Sequence, residues 1–387
     1  MAPERRGLRT GFTTGACAAA ATRGACLALA GRGSPFVDVP LPAGFTARFA
    51  LAALDLEPDG RRARASVVKD AGDDPDVTHG AEITAAVELL ADAPAGLGAE
   101  WAVSGEGAVA RRLRSGAAIE LWAADGVGTV TRPGLGLPVG GPAINPVPRR
   151  MIARAVRESL ADLPPLVRVG VGVRDGERLA LRTLNGRLGI AGGLSILGTT
   201  GVVRPYSTAA WRASVLQGVD VAAAAGCAEI VGSTGGRSEA YARALLPDLP
   251  QVAFVELGPF AGALLRRAGE RGMAVVWLAG MIGKLSRIAR GRLMTHSAGG
   301  AVDLRHLAGV ARRAGAGAAL AAEVAAAGTA RRAQELVLGA GLRGFFDLLA
   351  ADAVGACRGV VGPRPEVRVL LFDFDGTLLG ACPAAAR

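Results

Sequence analysis

Between residues 228 and 289 the chain alternates between two kinds of segment, and that alternation restricts its fold more than any other feature of the sequence. Apolar runs at 228–231, 251–256 and 273–278 have the length of strands; the segments at 238–246, 260–271 and 281–289 read as helices of roughly ten residues. Strands separated by helices imply βαβ units, and so a mainly parallel sheet. Residues 1–190 lack this regularity. There a helix of small residues opens at Thr13-Thr14-Gly15, runs to about Ala30 and closes at Gly31, and strand-like stretches follow at 47–56, 64–68 and 166–173. The length of 387 residues suits two domains. The expectation is an α+β domain over 1–190 and an α/β domain over 191–387. The second domain continues through an Ala-rich helical stretch at 316–338, interrupted at Gly328, to a hairpin at 368–379 with an Asp375-Gly376 turn.

Half of the residues are hydrophobic but only 4% are aromatic, so the core is expected to be Ala, Val and Leu. No run of 18 apolar residues exists, and a membrane-spanning helix is not expected. Arg5, Arg6 and Arg9 before an Ala-rich run imitate a targeting peptide, but Arg23 and Gly24 break that run. Five cysteines, with no CxxC pair, point to a reducing, cytoplasmic setting and against zinc or a disulfide framework. The net charge of +10 is spread along the chain, with no basic run and few aromatics to stack bases, which argues against nucleic acid. A substrate bearing several carboxylates or phosphates would be drawn by such a field. Only two of the 44 cations are lysines, Lys69 and Lys284.

Four segments carry candidate chemistry. Gly232-Ser-Thr-Gly-Gly-Arg-Ser-Glu239 joins a strand to a helix, where backbone N–H groups and the helix dipole favour an anion. Glu256 ends the next strand, 21 residues beyond Gly235, where an acidic residue commonly binds the ribose of a nucleotide cofactor. The loop is not GxGxxG, and a plain turn ending in a solvated Glu is the alternative. Gly192-Gly-Leu-Ser-Ile-Leu-Gly-Thr-Thr-Gly-Val-Val-Arg-Pro-Tyr-Ser207 allows close backbone approach to a ligand or serves as a hinge, with Ser207 capping the helix that follows. Lys69-Asp-Ala-Gly-Asp-Asp-Pro-Asp-Val-Thr-His-Gly80 gathers many polar groups but is not a calcium loop. Near Lys284, Thr295-His296-Ser297 offers an imidazole as general base or as a structural group. The tail Leu371-Phe-Asp-Phe-Asp-Gly-Thr-Leu378 looks like the nucleophile motif of haloacid-dehalogenase-type phosphatases. Only 12 residues follow Asp375, too few for the rest of such a domain, so the phosphatase is rejected.

Together these segments resemble the cobalt-precorrin-5B (C1)-methyltransferase family of anaerobic cobalamin biosynthesis. Further blocks that carry the resemblance are Gly11-Phe-Thr-Thr-Gly-Ala-Cys-Ala-Ala-Ala20 and Gly134-Leu-Gly-Leu-Pro-Val-Gly-Gly-Pro-Ala-Ile-Asn-Pro-Val-Pro148, in the family's order along nearly the whole chain. Gly141 departs from it, standing where a Glu is expected. The resemblance implies a ribosomal-S5-domain-2-like α+β part and a Rossmann-like part. It implies methyl transfer from S-adenosylmethionine to C1 of cobalt-precorrin-5B, giving cobalt-precorrin-6A. Cobalt arrives with the corrinoid, so no metal bound by the protein is expected. The cosubstrate is assigned to Gly232, Thr234, Gly235, Gly236 and Glu256, with Gly198, Thr199 and Thr200. The corrinoid is assigned to Thr13, Thr14, Asp74, Asn145, Arg204 and Ser207. Lys69, Asp73, Lys284 and His296 are the catalytic candidates, expected with Asp74 to line one interdomain cleft that holds the corrinoid, with His296 first and Asp73 second as base. A homo-oligomer is left open, as are two other classes: a nucleotide-dependent oxidoreductase and a non-catalytic corrinoid-binding protein of the same pathway.

Overall fold

In the computed structural model, which describes residues 7–294 and 302–383, the chain divides into two units, Met1–Thr208 and Ala209–Arg387. The division falls beyond residue 190 because the following loop returns to the first unit. Val202–Val203 pairs antiparallel with Gly11–Phe12, and the Leu197 carbonyl accepts from the Gly15 N–H at 3.0 Å.

The first unit is built on the helix Thr14–Leu29, in which thirteen of the sixteen residues are buried. Its small side chains permit contact on several sides at once. A Cβ on Gly15 would lie 2.5 Å from Pro148 Cγ, and one on Gly24 would lie 2.6 Å from Leu51 Cδ1. Thr13 caps the helix by accepting from the Ala16 N–H at 3.2 Å. The helix packs on Pro146–Ser159 and on a seven-stranded sheet. That sheet runs in the order Ala53–Leu56, Arg62–Val68, Glu82–Leu90, Leu166–Val173, Ala118–Ala123, Ala108–Arg112, Ala102–Gly105. Its neighbours are antiparallel except Leu166–Val173 with Ala118–Ala123. Alternation sets the inward face: Ala63, Ala65 and Val67 are buried while Arg62 and Arg64 face water. The stretch 47–56 is two strands rather than one. Thr46–Ala50 pairs with Phe36–Pro40, and the backbone then changes partners, with Leu51 N–H on Pro35 and Ala52 N–H on Ser66.

In the second unit a five-stranded sheet has the order Phe254–Glu256, Glu229–Ser233, Val275–Met281, Glu366–Phe372, Leu378–Cys382. The first four strands are parallel and the last is antiparallel. Both faces are covered. Val231 packs in one cluster with Ala242 of the helix Gly236–Leu245, whereas Gly232, one residue on, faces Leu264 of Ala261–Glu270. The expected strand 251–256 begins with the 3-10 turn Gln251–Ala253. The expected helical stretch 316–338 is two helices, Ala318–Ala325 and Ala330–Gly339, parted at Gly328 with φ = 71°. Among the described residues no helix is long and apolar enough to cross a membrane.

Candidate functional site

The strand order of the second unit decides where a ligand can enter. Glu229–Ser233 comes first in the sequence; the next strand, Phe254–Glu256, lies on one side of it and the following one, Val275–Met281, on the other. The connections therefore leave in opposite directions, and a crevice opens at the carboxyl ends of Glu229–Ser233 and Val275–Met281. A cavity of about 410 Å³ occupies this point. One wall is Thr234 to Ser238; the other is Met281, Gly283, Lys284 and Arg287, with Val302 and Phe374 beside them.

The turn that forms the first wall is held by Thr234, whose N–H donates to the Ala279 carbonyl at 2.9 Å. Beneath it Ser233 is fully buried, and its Oγ has no partner among the described residues. Gly235 is open: a Cβ there would meet only Lys284 Nζ, at 3.9 Å. Gly232 differs. It lies within the strand, and a Cβ would fall 2.6 Å from Leu257 Cδ2 and 2.9 Å from Leu264 Cδ1, so its smallness serves packing rather than a ligand. Lys284, half-buried, donates to the Thr234 carbonyl. Burial pulls its ammonium below the ordinary lysine value, and Glu256 opposes that pull. Glu256 is exposed and stands opposite Ser233 in the register of the two parallel strands.

Phe374 reaches the cavity because Glu366–Phe372 runs parallel to Val275–Met281 and ends on the same side. Its turn is tightly held. Asp373 accepts from the Phe374 N–H at 2.7 Å and from Gln334 Nε2 at 2.6 Å, while Tyr241 Oη donates to the Phe374 carbonyl at 2.9 Å.

The polar loop 69–80 of the first unit is anchored by a buried lysine. Lys69 is 1% exposed and bonds Asp76 at 2.7 Å; Asp76 also accepts from Thr78 N–H and Oγ1. Burial works to raise the Asp76 carboxyl, but these bonds outweigh it and hold it below the ordinary value. Asp70 pairs with the Arg9 guanidinium, Asp73 accepts from the Arg9 N–H at 2.6 Å, and Asp74 accepts from the Tyr206 N–H at 2.8 Å. The loop thus fastens the N-terminal segment and the 206 region. Thr13 and Thr14 meet the Gly-rich loop directly. Thr14 Oγ1 accepts from the Leu197 N–H at 2.9 Å, and a Cβ on Gly198 would collide with Thr13. Gly198, Thr199 and Thr200, grouped with the cosubstrate on sequence, therefore belong with Thr13 and Thr14 in the first unit. Asn145 precedes the helix Pro146–Ser159, and its N–H donates to the Ile196 carbonyl at 2.9 Å. Arg204 and Ser207 follow in the same unit. His296 lies outside the described residues.

Sequence reasoning did not single out Arg237, Arg287, Val302 or Phe374. For Arg237 a signal was available: a cation at the start of a helix opposes the helix dipole, an arrangement that calls for an anion nearby. For Phe374 the signal is topological and does not exist at the level of local pattern. Among the described residues no group of three or more His, Cys, Asp or Glu is arranged to hold a metal ion.

A cavity at the switch point of a parallel sheet, walled by a glycine turn, has the form of an α/β ligand-binding domain. The sequence narrows this further. Residues 1–205 match the CbiD family and residues 294–383 its C-terminal domain. The chain is 48% identical to the cobalt-precorrin-5B C(1)-methyltransferase of Thermus thermophilus, over 98% of this chain and 96% of that one. It is 50% identical to the protein of the same name from Salinispora arenicola, over 95% and 91%. A solved structure of a cobalamin biosynthesis protein, cbiD, from Archaeoglobus fulgidus matches at 22% identity over 86% of this chain and 85% of that chain, with a TM-score of 0.37. The chain belongs to the cobalt-precorrin-5B C(1)-methyltransferase family.

Proposed function

We propose that this chain transfers a methyl group from S-adenosylmethionine to C1 of cobalt-precorrin-5B, giving cobalt-precorrin-6A in the construction of the corrin ring. The observation that carries the reading is identity near one half with methyltransferases of that name across almost the whole of both chains. S-adenosylmethionine supplies an electrophilic methyl on a sulfonium; the protein's task is to align that methyl with C1 and exclude water.

The second unit, a Rossmann-like domain in this reading, takes the cosubstrate, and the first, of ribosomal-S5-domain-2-like type, contributes to the corrinoid site. The residues at the switch point suit the cosubstrate. Gly235 and Gly236 leave the backbone open to close approach, Thr234 and the start of Gly236–Leu245 offer donors, and Glu256 offers a carboxylate to ribose hydroxyls. Gly232 is left out because its Cβ direction is filled. In the first unit Thr13, Thr14, Asp74, Asn145, Arg204 and Ser207, joined by Gly198, Thr199 and Thr200, form the set for the corrinoid. Lys69 acts through Asp76 to hold the acidic loop. Asp73, which is exposed, and His296 are the candidate proton acceptors, and Lys284 borders the cosubstrate.

The test is anaerobic incubation with methyl-labelled S-adenosylmethionine and cobalt-precorrin-5B, followed by mass analysis. One methyl gained at C1, with release of S-adenosylhomocysteine, is the expected result; an unmodified corrinoid from folded protein overturns it. Within that reading Glu256→Ala removes charge-assisted bonds worth roughly 1.5–3 kcal/mol each and should weaken S-adenosylmethionine binding by at least about tenfold in calorimetry. Unchanged affinity removes Glu256 from the site.

A further inference from the structure

We propose that the switch-point cavity is a carboxylate clamp in which Arg237 reads the anion and Phe374, from the C-terminal hairpin turn, positions Arg237. The inference rests on the functional reading above and adds a ligand chemistry and two residues to it. The charged side chains of the cavity wall are Arg237, Lys284 and Arg287, and no carboxylate is among its described lining residues. Two helices, Gly236–Leu245 and Ile282–Ala289, begin at the same point with their positive ends toward it. Arg237 places a cation in the first turn of Gly236–Leu245, where the helix dipole disfavours it, and a bound anion offsets that cost.

Arg237 is the group best prepared to meet it. Among the described residues its only side-chain partner is the ring of Phe374, 5.8 Å from the guanidinium carbon. An aromatic face restrains a guanidinium without using its N–H donors, which stay available for the two oxygens of a planar carboxylate. The ring is itself fixed by the Asp373, Tyr241 and Gln334 bonds of its turn and by Arg331 at 4.9 Å. The tail motif that imitates a phosphatase thus acquires a role in which neither aspartate is a nucleophile. Both ligands of the proposed reaction carry carboxylates, one on the methionyl end of the cosubstrate and several on the arms of the corrinoid.

Calorimetry on the full chain separates the sources. Each of two probes is paired with a relative that lacks the carboxylate: S-adenosylhomocysteine with methylthioadenosine, and cobyrinic acid with its heptamethyl ester. Arg237→Gln should weaken one carboxylate-bearing probe by about tenfold or more while leaving its partner unchanged, and the affected pair names the source. Phe374→Leu should give the same pattern at about threefold, and Phe374→Trp, which keeps an aromatic face, should restore wild-type affinity. The clamp is overturned if both carboxylate probes bind Arg237→Gln as they bind the wild type, or if the uncharged partners weaken equally. Wild-type protein that binds neither adenosyl probe counts against the methyl-transfer reading, and the cobyrinic acid pair still decides the clamp.

Discussion

Two polar segments look equally functional in the sequence, the loop 69–80 of the first unit and the turn 232–239 of the second, and the structure treats them in opposite ways. In the first, charge is consumed internally. Lys69 is buried against Asp76, while Asp70, Asp73 and Asp74 bind the Arg9 guanidinium, the Arg9 N–H and the Tyr206 N–H. In the second, Arg237 and Lys284 face a cavity whose described lining holds no acid. A cluster that satisfies itself stabilises a fold; a guanidinium at a cavity whose described side-chain partner is an aromatic ring, as Arg237 is, keeps its charge for a ligand.

The sharpest way to break this contrast is to remove one half of the buried pair. Asp76→Ala leaves the Lys69 ammonium without its partner and should cost the first unit about 3 kcal/mol in denaturant unfolding. Adding Lys69→Met should recover much of the loss. A stable Asp76→Ala protein that loses activity would instead assign the loop to a ligand.

A smaller effect separates the two glycines of the turn. Gly232→Val must displace Leu257 and Leu264, and a loss of about 2 kcal/mol is expected by thermal unfolding, with S-adenosylhomocysteine affinity preserved in the folded fraction. Gly235→Ala should change stability by no more than about 0.5 kcal/mol yet reduce that affinity severalfold. Reversal of the two outcomes would move the ligand to the other side of the strand.

The pH dependence distinguishes the units by window. Asp76 has a folded value below its ordinary 3.8, so its contribution is complete above that value and disappears as pH falls through the lower, folded one. Lys284 is also lowered, from 10.5, so its folded charged form is disfavoured. Its share of stability is greatest above 10.5 and falls as pH drops through the folded value. Asp76→Asn should flatten the acid limb of a stability–pH curve, and Lys284→Met the alkaline limb. A curve that keeps both limbs in the double variant would show that other groups govern them. Asp373→Asn should cost about 1 kcal/mol from the weakened turn. Wild-type protein should show no turnover of a generic phosphate ester; turnover abolished by that change would revive the rejected nucleophile.

Much of the fold was legible because its signals are local. The alternation at 228–289, the helix ending before Gly31, the strand at 166–173 and the break at Gly328 each declare themselves within a few residues. The site was legible only in part. Gly232 and Gly235 are the same residue three positions apart, and what separates them is Leu264, more than twenty-five residues away in sequence and adjacent in space. The pairing of Lys69 with Asp76 depends on the path of a loop, and the arrival of Phe374 beside Thr234 depends on strand order. No periodicity encodes either. Charge sign against helix direction, as at Arg237, is a local signal that remained unread.

The buried helix Thr14–Leu29 carries a consequence of another kind. Ordering a long side chain in a core freezes rotamers, at up to roughly 2 kcal/mol for the most flexible residues, whereas alanine and glycine have none to freeze. Most of this helix therefore enters the interior at the entropic cost of its backbone alone. The same economy makes its response to change one-sided. Trimming an alanine removes a single methyl, while a side chain added at Gly15 or Gly24 enters contacts already closed at Pro148 and Leu51. The first unit should consequently accumulate sequence variation on its strands and loops, and hold the helix to the smallest residues available.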